Sequence, residues 1–102
     1  MIVNWSEHAV LALQDIRDYL SLKASRDIAD RIALEIVDLT DSFVQFPLKF
    51  PACEEIPHNQ GEYRYAVYKS SYRIIYKVLE AEILILDIFH NSRNPRGLSG
   101  LS

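Results

Sequence analysis

The chain has one cysteine, Cys53, so no disulfide can form within it. A lone thiol fits a reducing compartment and a fold held by its core. Its three histidines, His8, His58 and His90, lie in separate segments without metal-ligand spacing, so no metal site is expected. No organic cofactor is expected either. The longest apolar run, Ile83 to Leu86, is far too short to span a bilayer, and no charged and apolar leader opens the chain. A cytoplasmic protein without membrane contact is the expectation. There is no basic excess: net charge is -3, which argues against a general nucleic-acid binder.

What is present is distributed unevenly. Residues 1–60 hold five basic and ten acidic side chains, whereas residues 61–102 hold six basic and four acidic ones. Any contact with an anion is therefore expected in the second half. With 102 residues, 49% of them hydrophobic, the chain has room for one globular domain, 1–102. A core this small leaves a thin stability margin, to which a bound partner could add.

Met1 to Trp5 suits a short first strand. Ser6 reads as a helix N-cap, with Trp5 and Val10 at the positions of a hydrophobic staple. Val10, Leu13, Ile16 and Leu20 give an apolar stripe through about Leu22. Ser25 offers a second N-cap, followed by Ile28, Ile32, Ile36, Leu39 and Phe43 at helical spacing. That helix should end near Phe46, because Pro47 cannot continue it. The short link between the helices predicts an antiparallel hairpin.

Pro47, Pro51 and Pro57 punctuate an irregular stretch, and Asn59-Gln60-Gly61 reads as a turn. Three β-rich segments follow at 62–68, 72–79 and 82–90, with turns short enough for a meander. The tail of about 91–102, with Gly97 and Gly100, reads as loosely held. The order β-α-α-β-β-β predicts an α+β fold, a helical hairpin on one face of a largely antiparallel sheet. Strand alternation puts Arg73, Ile75 and Lys77 on one face and Tyr72, Ile74 and Tyr76 on the other.

The second half carries a run with a family likeness: Tyr63-Arg64, Val67, then Ser71-Tyr72-Arg73-Ile74-Ile75-Tyr76-Lys77-Val78. It ends in Ile88-Phe89-His90-Asn91-Ser92-Arg93-Asn94-Pro95. With Trp5-Ser6, the segment 15–20 and Phe46-Pro47 in the first half, this resembles the RelE/ParE toxin superfamily of type II toxin–antitoxin systems over nearly the whole chain. The resemblance implies a growth-inhibiting toxin, and its two branches imply different activities. RelE-like members are ribosome-dependent endoribonucleases acting on mRNA. ParE-like members, associated with plasmid stabilisation, inhibit DNA gyrase and carry no catalytic constellation.

Metal-free RNA cleavage needs a base, cations for the phosphorane and an acid for the leaving oxygen. Arg73 and Arg93 match the superfamily's arginine positions, and Arg64 stands where the first lysine would be. Ala66 occupies the second lysine position, and no tyrosine follows Arg93. A ribonuclease reading would have to rest on Arg64, Arg73, His90 and Arg93. The long hairpin, the low basicity and the 89–95 ending resemble the ParE-like branch more. Arg64, Arg73, His90, Arg93 and Arg96 are then candidate target contacts, with a structural alternative for Arg73, an ion pair to Asp87 or Glu82.

The resemblance also implies a cognate, ParD-like antitoxin whose C-terminal segment wraps the toxin in a hetero-oligomer. Tyr19 and Leu22 on the hairpin are the candidate seat. A third reading is a non-toxic module that keeps only antitoxin affinity.

Overall fold

The computed structural model describes residues 1–52 and 62–91. Strand β1 (Ile2–Trp5) leads into helix α1 (Glu7–Lys23) and helix α2 (Arg26–Asp41), and a 3-10 turn follows at Ser42–Val44. Strands β2 (Glu62–Tyr68), β3 (Tyr72–Val78) and β4 (Glu82–His90) complete one four-stranded sheet. The strand order is β1-β4-β3-β2. The three late strands form an antiparallel meander, and β1 joins it parallel to β4. The α+β reading and the element order hold. Cys53, His58, the 59–61 turn, Arg93, Arg96 and the tail beyond Asn91 lie outside the described residues.

Both helices begin where a serine can cap them. Ser6 Oγ accepts from Ala9 N–H at 3.0 Å, and Ser25 Oγ accepts from Ile28 N–H at 3.1 Å. Ser6 does more than cap: its hydroxyl donates to the Leu86 carbonyl at 3.3 Å, and its N–H donates to the Ile85 carbonyl at 2.9 Å. One residue thus ends the parallel pairing of β1 with β4 and starts α1. An ion pair between Arg17 and Asp30, 2.6 Å, crosses the hairpin.

The apolar stripes differ from their expected phase by one position. Val10 is exposed, and the wholly buried residue in its place is Ala9. Ile28 is likewise exposed, with Ala29 buried beside it. Alanines at these points let a backbone approach closely, and a period count that weighs only large side chains passes over them. α2 also stops at Asp41, before the expected end, and the chain turns through the 3-10 segment so that Phe43 enters the core.

That core lies between the hairpin and one face of the sheet. It gathers Ile16, Ile36 and Phe43 with Ile74, Tyr76, Ile83, Ile85 and Ile88. Tyr76 stacks on Phe43 with ring centroids 4.4 Å apart, and its hydroxyl donates to the Pro47 carbonyl at 3.0 Å. A smaller cluster of Ile75, Phe89, Tyr63, Tyr65 and Leu86 occupies the other face.

Replacing Ser6 by alanine removes the cap and the bond to Leu86 together. The expected loss is about 1 to 2 kcal/mol. Urea unfolding should show a lower midpoint at an unchanged slope; Ser25→Ala, which removes a cap alone, should cost less.

Candidate functional site

The sheet has two faces with different chemistry. On the hairpin side, cross-strand register sets Arg64 opposite Tyr76, Ala66 opposite Ile74, and Tyr68 opposite Tyr72, which in turn faces His90. On the opposite, open side, Tyr63 faces Lys77, Tyr65 faces Ile75, and Val67 faces Arg73, which faces Phe89. The alternation expected for β3 holds.

Register therefore divides the sequence-predicted residues. Arg64 and His90 lie on the hairpin side, and Arg73 lies on the open side. Arg64 and His90 are also apart on their own face, since their rows on β3 are Tyr76 and Tyr72. Four residues of strand put them ~13 Å apart along the sheet. Arg64 donates to the Phe50 carbonyl, securing the stretch that forms an isolated bridge from Ala52 to β2. His90 stands edge-on to Tyr72, with centroids 5.1 Å apart. Tyr19 and Leu22 are both exposed on α1, Leu22 to 86%.

Arg73 takes neither of the carboxylates that sequence reading offered it. Asp87 pairs with His8 Nε2 at 3.1 Å, and Glu82 accepts from the Asn4 amide. The Arg73 guanidinium instead lies over the Tyr65 ring at 4.5 Å, and its buried Nε has no hydrogen-bond partner. One turn of the pleat further, Lys77 Nζ lies 5.3 Å over Tyr63. Two cations on one strand and one face are thus each seated on a tyrosine of β2. The geometry is that of a cation–π contact, and the ring holds the cation without neutralising it.

Two further titratable clusters flank the sheet. Asp87 is buried at the β3–β4 register shift. Burial pushes its carboxyl above the usual carboxylate range, opposed by the His8 charge and the Ile88 N–H. At the other end, Tyr68 donates its hydroxyl to Glu35 of α2, and Lys69 Nζ sits 3.4 Å from the same carboxylate. Burial, with Glu35 adding to it, pushes Tyr68 up to about 12. The Tyr68 hydrogen bond holds Glu35 below its ordinary value. The turn beside it keeps Lys69 and Ser70 at φ of 51° and 59°, a left-handed region that costs non-glycine residues energy. Asn91 fixes this turn, donating from its backbone N–H to the Ser71 carbonyl at 2.8 Å and from its amide to the Ser70 carbonyl.

Sequence reading missed the tyrosine seats and the His8–Asp87 pair. The seats had a signal, Tyr63-x-Tyr65 across a short hairpin from Arg73 and Lys77. The His8–Asp87 pair had none, because only the parallel β1–β4 join brings residues so distant in sequence together. Among the described residues no group of three or more His, Cys, Asp or Glu could hold a metal ion, and no helix is long and apolar enough to cross a membrane.

A raised tyrosine pKa has a definite sign in stability. Between pH 10.0 and about 12 the folded state keeps the Tyr68 proton that the unfolded chain has lost, so stability falls as pH rises through that window. Ultraviolet titration should show one tyrosine ionising near 12 in the native protein. Tyr68→Phe should remove that step together with its share of the alkaline loss of stability.

A search of curated proteins returned no match. Among solved structures, one titled "Chromosomal ParDE TA system from P. aeruginosa" aligns with a TM-score of 0.75 at 21% identity. The alignment covers 88% of this chain and 95% of that one, a likeness of fold. The family model described as "ParE toxin of type II toxin-antitoxin system, parDE" matches residues 3–95, and the chain belongs to that family.

Proposed function

We propose that this protein inhibits DNA gyrase and is neutralised by a cognate, ParD-like antitoxin. Family membership supports the ParE-like branch. The observation that carries the reading against RNA cleavage is the division of Arg64, Arg73 and His90 between two faces of the sheet. In-line attack by a 2′-hydroxyl needs base, cations and acid around one phosphate. Here the arginine on the open side has no base or acid candidate beside it among the described residues. Ala66, buried on the hairpin side, adds no proton-transfer group.

The test is direct. Purified protein is incubated with gyrase, ATP and relaxed plasmid, and in parallel with translating ribosomes and mRNA. Loss of supercoiling, with linear DNA after denaturation and intact mRNA, is the expected result. Codon-phased mRNA cuts with normal supercoiling would replace it with the ribonuclease reading. Harmless expression of folded protein and no effect in either assay would leave the antitoxin-binding module.

The hairpin supplies the proposed antitoxin seat. Leu11, Tyr19, Leu22 and Leu34 expose apolar surface on its two helices, beside acidic side chains such as Asp15, Asp18 and Asp38. A segment with apolar anchors and a basic rim fits that surface. Alanine at Tyr19 and Leu22 together should weaken antitoxin binding at least tenfold while growth inhibition persists. Titration calorimetry alongside a neutralisation assay reads both, and unchanged affinity would move the seat elsewhere.

A further inference from the structure

The two tyrosine-seated cations have no place in the fold's own stability that their neighbours do not already fill. Ion pairs elsewhere in the described chain join Arg17 to Asp30, Lys69 to Glu35 and His8 to Asp87. Arg73 and Lys77 have no such partner among the described residues, and both are half-buried. Burying an unpaired cation is costly, and a ring returns only part of that cost. A chain of net charge -3 that keeps two uncompensated cations on one sheet face has them placed for an external anion.

The shape of the face narrows that anion. Arg73 and Lys77 are four residues apart on β3, so their heads are spaced ~13 Å along the strand direction. Between them lies Ile75, fully buried, flanked by Tyr65 and Leu86. No pocket separates the two charges, so a compact ligand reaches one of them and not both. A linear polyanion laid along β3 reaches both at once. We propose that this open face is a contact site for a phosphodiester strand, with Arg73 and Lys77 touching phosphates and Tyr65 and Tyr63 acting as positioning residues. The proposal deepens the gyrase reading and rests on it for the identity of the strand, which is the DNA that gyrase holds.

Two cations and an acidic hairpin make affinity for free nucleic acid low, which suits a protein that meets DNA already presented by an enzyme. Each tyrosine limits the directions its cation can take, lowering the ordering cost on contact. Tyr65→Phe keeps the ring and should keep the contact. Tyr65→Leu removes the π-face and should weaken it even with Arg73 intact.

The experiment is fluorescence anisotropy of a labelled single-stranded oligothymidylate with the full-length protein at low ionic strength, beside labelled poly-glutamate as an acidic protein mimic. Wild type should bind the oligonucleotide, with log affinity falling with log salt. Replacing Arg73 and Lys77 by alanine should reduce that slope by roughly 1.4, two single-strand contacts at roughly 0.7 each. Tyr65→Leu should weaken binding several-fold, Tyr65→Phe should not, and Lys23→Ala on α1 serves as the off-face control. Circular dichroism melts confirm that each variant is folded. No oligonucleotide binding, binding unaffected by the double substitution, or poly-glutamate bound in its place would each overturn the proposal. The supercoiling assay is scored separately. Oligonucleotide binding through this face without gyrase inhibition would sink the gyrase reading and leave the contact site. Gyrase inhibition that survives the double substitution would do the reverse.

Discussion

A tyrosine with no exposed surface must find an acceptor for its hydroxyl or forfeit the hydrogen bond it had in water. Tyr76 meets that constraint at the Pro47 carbonyl, and much of the remaining architecture follows from it. The bond fixes where the chain leaves the hairpin. Pro47 cannot extend a helix, and its carbonyl is therefore free of helical obligations when it meets the sheet. Phe43 stacks on the same ring, so the 3-10 turn after α2 is held against the centre of β3. From there Phe50 packs edge-on to Phe43, at 5.4 Å, and its carbonyl accepts from Arg64. An arginine that sequence reading offered as a target contact is thus engaged in holding this path.

The same strand sets the chemistry of the far side. Once Ile74 and Tyr76 are committed to the core, period-two alternation commits Arg73 and Lys77 to the open face. Cross-strand pairing then brings Tyr63 opposite Lys77 and Tyr65 diagonal to Arg73. A slip of one residue would bury two cations among isoleucines, so the core's preference for register is also what positions the charges. The irregularity at Ile75 and Tyr76 belongs to the same balance. Tyr76 faces Ile85 while Ile75 faces Asp87, leaving Leu86 unopposed and turning Asp87 to where His8 reaches it.

Much of this was legible before any coordinates. Ser6 and Ser25 declared the helix starts because an N-cap is local chemistry, readable from a few residues. The strands and their turns declared themselves by Tyr, Ile and Val content. What failed to show was whatever depends on close packing or distant pairing. Ala9 and Ala29 are buried because they are small, and a hydrophobic period count favours Val10 and Ile28, which face outward. The parallel partnership of β1 with β4 joins the two ends of the described chain, and no local signal announces it. Of the candidate site, the face of Arg73 followed from alternation. Its separation from Arg64 and His90 followed only once the register across three strands was known, because neighbours in a motif are not neighbours on a face.

That separation bears on how one small domain can serve two partners. The exposed leucines and the acidic side chains belong to the hairpin, and the uncompensated cations belong to the opposite face of the sheet. An antitoxin confined to the hairpin would leave the cations uncovered. It would then have to act by bulk, by holding the toxin in an assembly, or by sending a further segment around the sheet. The third route demands a segment of the opposite charge character, acidic where the hairpin-binding part is basic. A partner that changes sign along its length matches a toxin whose first sixty residues are acidic and whose remainder is mildly basic. The charge asymmetry visible in the bare sequence is in this sense a map of the two surfaces, and the sheet is the boundary between them.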